Sequence, residues 1–186
     1  MKKFTKLRKS SNSPKRRENI LYSDDYIKLL SYEGWSMVSE NDMIIVVPYL
    51  IESNEVILRY EYIPTFKYVD GQEYHITVLS GGIEKGEEPL MAAIRELEEE
   101  AGIVVRDDSK FESMKPLFVS KGNCNKYHTF FLPLHEKDYY QVKAKGDGSK
   151  SEAKSKSIKI NYKNIGSVNS SDLITEYMLL LIKDLI

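Results

Sequence analysis

Between residues 81 and 103 the chain carries Glu84, Glu87, Glu88, Glu96, Glu98, Glu99 and Glu100, with only Lys85 and Arg95 to balance them. Crowded carboxylates repel unless cations or water offset the charge. On a helix turning about 100° per residue, with Glu96 at zero, Glu100 falls near about +40° and Glu99 near about −60°. Three carboxylates then share roughly a third of the circumference. Clustered carboxylate oxygens on a rigid helix suit hard divalent cations, chiefly Mg²⁺, which leave positions open for water and phosphate oxygens. Gly81 and Gly82 precede this stretch and Gly86 interrupts it, allowing a ligand close to the backbone. Free N–H groups where the loop enters the helix favour anions. The chemistry implied is metal-assisted attack of water on phosphorus.

These side chains need a helix with a core stripe, and the sequence predicts one from about Glu88 to Ala101. Pro89 suits its first turn and Gly102 its stop. Leu90, Ile94, Leu97 and Ala101 form the apolar stripe, and Ala92 and Ala93 are expected to leave space beside the acidic face. Glu98 points elsewhere, into solvent. Around the helix, strands are expected at 26–32, 35–38, 43–50, 56–62, 74–79, 116–119, 127–132 and 158–162. Pro48 suggests that its strand ends or bulges there. Residues 145–157 read as an exposed loop. Ser170, Ser171 and Asp172 cap a terminal helix. Strands mixed with one central and one terminal helix give an α/β fold, a sheet packed between helices.

The chain has 186 residues, enough for one domain. Its net charge of −1 argues against a protein that holds nucleic acid through an overall field. A single cysteine, Cys124, excludes an internal disulfide and a disulfide-stapled secreted scaffold. The longest apolar run, 43–51, is too short to span a bilayer and contains Pro48. The reading is therefore a cytoplasmic protein without a membrane partner. Residues 1–20 are basic and read as a flexible tail, followed by one domain over 21–186.

The stretch resembles the Nudix box: Gly, five residues, Glu, seven residues, Arg-Glu, an aliphatic, any residue, Glu-Glu, any residue, Gly, an aliphatic. Gly81, Glu87, Arg95, Glu96, Leu97, Glu99, Glu100, Gly102 and Ile103 meet every fixed position. Nine specified positions at fixed spacing form a strong signal. The resemblance implies an α/β/α sandwich around a mixed sheet and a hydrolase dependent on Mg²⁺ or Mn²⁺. It implies metal ligands at Glu96, Glu99 and Glu100, with a backbone carbonyl at Ser80 or Gly81, and orientation of the carboxylates by Arg95 and Glu87. More weakly, Leu58 to Pro64, Phe118 to Gly122 and Tyr127 to Phe131 look like the ADP-ribose pyrophosphatase branch. There an arginine at the Arg59 position precedes the box, and homodimers are common.

The chain departs from that branch in three places, one being Tyr62, which stands where the branch has a second arginine. Thr77-Val78-Leu79-Ser80-Gly81 replaces Glu-Leu-Pro-Ala-Gly, and Lys154 to Ser157 stand where the branch carries a late catalytic glutamate. Glu152 and Asp147 are the nearby acids, and Glu152 is taken as candidate base beside Glu99. Arg59, Gly81 and Gly82 are candidate substrate contacts, with Arg59 alternatively a surface charge at a strand end. The substrate implied is a nucleoside diphosphate derivative, with ADP-ribose or a nucleotide sugar first. A nucleoside triphosphate pyrophosphohydrolase and a non-catalytic nucleotide-binding module are the alternatives. Tyr60, Tyr62, Phe66 and Tyr68 are read as packing aromatics rather than base-stacking ones. His75 and His128 are read as satisfied strand histidines, and Cys124 as a bystander thiol.

Overall fold

The computed structural model describes residues 19–146, 148, 152–170 and 172–186, with only the backbone of Glu152. Most of the basic tail read over 1–20, along with Asp147 and Ser171, lies outside the described residues. Its expected boundary falls inside a strand, because β1 already begins at Asn19.

A three-stranded antiparallel meander opens the fold: β1 (Asn19–Ser23), β2 (Lys28–Tyr32) and β3 (Trp35–Ser39). The main sheet is built on β4 (Met43–Leu50) and β5 (Glu55–Tyr62), joined by a turn in which Asn54 takes φ 54°. A short helix α1 (Pro64–Asp70) follows, then β6 (Tyr74–Thr77), β7 (Leu79–Gly82) and helix α2 (Pro89–Ala101). The chain continues through β8 (Ile103–Val105), β9 (Glu112–Ser113), β10 (Leu117–Phe118) and β11 (Lys126–Leu134). It ends with β12 (Tyr139–Gln141), β13 (Lys156–Asn161) and helix α3 (Leu173–Leu185).

The main sheet runs β10-β11-β4-β5-β13, with β6 on β5, β7 on β4 and β9 on β11. It is mixed: β4 and β11 are parallel from Met43/Tyr127 to Leu50/Leu134, and the other pairings are antiparallel. Side chains alternate across it, as a pleat requires. Ile44, Val46, Ile57, Phe130 and Leu132 face α2, burying Ala92, Ala93, Leu97 and Ala101. Ile45, Val47, Val56, Leu58 and Phe131 face α3, burying Ile174, Met178, Leu179 and Ile182. This is the α/β/α sandwich expected. Ala92 and Ala93 are fully buried in that core.

Three local departures from expectation have identifiable causes. First, β4 does not end at Pro48, which sits in register with Leu132. On its other edge β4 pairs with β7 through Val46 and with β5 from Tyr49, so a residue without an N–H is tolerated between them. Second, the strand expected over 74–79 breaks at Val78. Its N–H donates to Thr175 Oγ1 at 3.0 Å, at the head of α3, where Asp172 Oδ2 accepts from Thr175 N at 2.8 Å. The chain therefore crosses from β5 to β4 at this point, and those two strands touch only at Tyr49–Leu50 and Val56–Glu55. Third, helix α1 was not expected. Pro64 starts it and Gly71, at φ 80°, stops it.

Candidate active site

A proline and a glycine bound α2. Pro89 occupies its first turn, and Gly102 at φ 64° returns its N–H to Glu98 O and Leu97 O. Beneath the helix lies the Ser80–Gly81 segment of β7, opposite Ile45 and Ile44 of β4. Two carboxylates one turn apart reach this segment. Glu96 packs on Gly81: a Cβ built there would lie 2.6 Å from Glu96 Cγ and overlap the carboxylate. Glu100 Oε2 accepts from Ser80 N at 3.3 Å.

Arg95 ties the remainder together. Its Nε and Nη2 donate to Glu87 Oε1 and Oε2 at 3.0 and 2.9 Å, a bidentate pair. Nη2 also donates to Gly82 O at 2.9 Å, while Nη1 reaches Glu96 Oε1 at 2.6 Å and Glu99 Oε2 at 3.4 Å. These partners, Glu87 first, raise the Arg95 guanidinium above its ordinary value against the opposing effect of burial. The same pairing holds the Glu87 carboxyl below the usual carboxylate range. One arginine thus fixes Glu87, Glu96 and Glu99 relative to the end of β7.

Arg59 is not a surface charge. It is 2% exposed and points from β5 at Glu100, with Nε 3.3 Å from Oε1 and Nη1 donating to the Glu100 carbonyl at 3.2 Å. Ser157 Oγ donates to that same carbonyl at 2.8 Å. The neighbouring carbonyls at the end of α2 are met from the 141–146 loop: Gly146 N at Glu99 O, Gln141 Nε2 at Ala101 O and Gly102 O, and Val142 N at Gly102 O. A helix end leaves such acceptors open, and here the chain itself closes them.

A cavity of about 470 Å³ opens between this helix end and the loop, lined by Arg59, Glu99, Glu100, Gln141, Lys145 and Lys156 among others. The stretch expected as a plain loop over 145–157 instead holds a 3₁₀ turn at Glu152–Lys154, and β13 begins within it at Lys156. Ala153 and Ser155, on either side of Lys154, line the cavity. The side chain of Glu152, the candidate base, lies outside the described residues. Glu98 is half-buried and lines a smaller cleft with Arg95, Glu99 and Lys145.

The three carboxylates expected to share a face are thus sorted by their partners. Glu96 and Glu99 meet at Arg95, and Glu100 meets Arg59 and Ser80. Among the described residues no group of three or more His, Cys, Asp or Glu side chains already encloses a metal position. The donor set still fits a hard divalent ion: carboxylate oxygens from Glu96 and Glu100 approach one two-residue stretch of backbone, with Glu99 one position away along the helix.

Other candidates are placed elsewhere. His75 is buried edge-on to Phe66, and its Nε2 has no hydrogen-bond partner, so it is not the satisfied histidine expected. His128 lies 3.7 Å from Asp42. Tyr60 stacks on Tyr74 at 5.1 Å, whereas Tyr68 is 90% exposed and so is not the packing aromatic expected. Cys124 is exposed, with Sγ 3.8 Å from Met37 Sδ. No helix among the described residues is long and apolar enough to cross a membrane. Sequence reasoning missed Ser157 and Gln141, since nothing in their local spacing announces that they bond the end of a distant helix.

No curated protein matches the chain. A solved structure described as an ADP compounds hydrolase superposes with a TM-score of 0.62 at 19% identity, covering 95% of this chain and 96% of the other. At that identity the likeness shows the fold. The profile of the NUDIX domain matches residues 52–155, more than half of the chain, including all of α2 and the Ser80–Gly81 segment beneath it. The protein belongs to the Nudix hydrolases.

Proposed function

We propose that the chain hydrolyses the pyrophosphate bond of a nucleoside diphosphate linked to a second group, with ADP-ribose or a nucleotide sugar as the first substrates to test. The observation that carries this reading is the convergence of Glu96 and Glu100 on Ser80–Gly81 beside a cavity bearing Lys145 and Lys156. The description of the fold neighbour as an ADP compounds hydrolase supports the substrate class.

Glu96, Glu99 and Glu100, with the Ser80 backbone, would hold Mg²⁺ or Mn²⁺. Such ions, when bound, offset diphosphate charge and lower the pKa of water. The chain's own residues do the remaining work. Arg95, held by Glu87 and Gly82 O, fixes the Glu96 and Glu99 carboxylates and limits their reorganisation during reaction. Lys145 and Lys156 place positive charge at the cavity, where phosphate oxygens would lie. Glu99 is the open carboxylate of the three, its side chain 31% exposed against 12% for Glu96 and 7% for Glu100. It lines the cavity and is placed to take the proton as water attacks phosphorus and the anhydride P–O bond breaks. Glu152, on the turn beside the cavity, is the second candidate for that proton.

The test is Glu100→Gln, which keeps the shape of the side chain. Turnover of these substrates with Mg²⁺ or Mn²⁺ is expected to vanish while the circular dichroism spectrum at low temperature stays that of the folded chain, with a lower melting temperature because Arg59 loses its buried partner. Wild-type activity in this variant would remove the assignment.

A further inference from the structure

We infer that Arg59 is a positioning residue that sets the Glu100 carboxylate, and not a contact for the substrate phosphate. The inference rests on the hydrolase reading for its consequence but on geometry for its content. One guanidinium addresses Glu100 at both ends: Nη1 donates to the main-chain carbonyl at 3.2 Å, and Nε lies 3.3 Å from carboxylate Oε1 as an ion pair without hydrogen-bond geometry. Ser157 Oγ holds the same carbonyl at 2.8 Å, and Ser80 N holds the other carboxylate oxygen at 3.3 Å. Glu100 is therefore held at its carbonyl and at its carboxylate by three strands, β5 through Arg59, β7 through Ser80 and β13 through Ser157.

Burial and charge point the same way. Arg59 and Glu100 are 2% and 6% exposed. Two buried opposite charges in contact depend on each other, because either one left alone would be a buried uncompensated ion. An arginine engaged in this way brings little net charge to a diphosphate, whereas Lys145 and Lys156 line the same cavity with no ion-pair partner among the described residues. The fixed fork of the guanidinium also matters. A lysine, as a point charge on a flexible stem, cannot hold a carbonyl and a carboxylate at once in this geometry.

The experiment compares wild type, Arg59→Met, Glu100→Gln and the double variant, with Arg59→Lys as a further member. Two affinities are read in each: Mn²⁺ by electron paramagnetic resonance, and an α,β-methylene analogue of ADP, added without metal, by calorimetry. Loss of an orienting partner commonly weakens a metal site about 10- to 100-fold. Arg59→Met is expected to weaken Mn²⁺ binding by that amount and to change analogue affinity less than about threefold. In the Glu100→Gln background, Arg59→Met is expected to change Mn²⁺ binding less than about twofold, as residues acting through one another do. The double variant removes both buried charges together, so it remains informative if Arg59→Met alone unfolds. Arg59→Lys is expected to stay weakened several-fold.

A tenfold or greater fall in analogue affinity on Arg59→Met, unchanged Mn²⁺ binding, additive losses in the double variant, or full rescue by lysine would each overturn the inference. Mn²⁺ binding needs no turnover. A chain that binds the ion through Glu100 and cleaves none of the substrates would refute the proposed reaction and leave the role of Arg59 standing.

Discussion

Replacing Gly81 by alanine isolates the contact on which the site geometry depends. Gly81 does not occupy the left-handed region, so alanine costs nothing through the backbone. The new Cβ would instead overlap the Glu96 carboxylate and lie 2.6 Å from its Cγ, closer than real Cβ contacts allow. Glu96 must rotate away, breaking its 2.6 Å bond to Arg95 Nη1. An off-rotamer side chain costs about 0.5–1.5 kcal/mol, and a lost charge-assisted hydrogen bond about 1.5–3 kcal/mol. The side chain is partly exposed, so water recovers part of the second contribution, and a loss of about 1–3 kcal/mol in unfolding free energy is expected. Under the metal role proposed for Glu96, displacing its carboxylate by an ångström or more should reduce kcat about 100-fold. Gly82→Ala is the matched control, since a Cβ there meets nothing within 4 Å. Urea denaturation and steady-state kinetics on the two variants make the comparison. Near-wild-type activity in Gly81→Ala, or equal losses in both, would refute the argument that glycine is needed at 81 to admit Glu96.

Further outcomes follow from neighbouring contacts. Gly102→Ala forces alanine to φ 64° and sets its Cβ 3.0 Å from Ala144 N and 3.1 Å from Gln141 Nε2; it should lower stability by at least about 1–2 kcal/mol and loosen the 141–146 loop, read by thermal melting and amide exchange. Arg95→Lys keeps the charge but loses the bidentate hold on Glu87, so turnover should fall at least about tenfold without recovery at high substrate. The Glu87 carboxyl is held below its unfolded value, so its stabilisation is present above the ordinary carboxylate range and disappears as pH falls through the lowered folded value. Urea midpoints measured from pH 7 downward should therefore drop less steeply in Glu87→Gln than in wild type.

The elements legible in the sequence were those whose signal is local. Pro89, Gly102 and a helical apolar stripe mark α2 without reference to anything else, and the alternating run at 56–62 marks β5. The box residues were equally legible, because the Nudix pattern is a fixed spacing centred on one helix. What escaped depends on partners far along the chain. The break at Val78 is imposed by Thr175, 97 residues away, and the passage of β4 through Pro48 by where β7 gives way to β5. Arg59 shows the same limit. Its position could be matched to a phosphate contact, but only folding brings it under the carbonyl of Glu100, 41 residues on. Helix α1 is seven residues long, too short for a periodic signal, and is marked only by Pro64 and Gly71.

The most direct test of the central claim is the phosphorus NMR spectrum of products formed by the purified chain from ADP-ribose, nucleotide sugars and nucleoside triphosphates with Mg²⁺ or Mn²⁺. A nucleoside monophosphate with a sugar phosphate, formed from a diphosphate-linked substrate and absent with Glu100→Gln, is the result this account requires. Release of inorganic pyrophosphate from a triphosphate as the preferred reaction, or no cleavage of any substrate while nucleotide still binds, would contradict it.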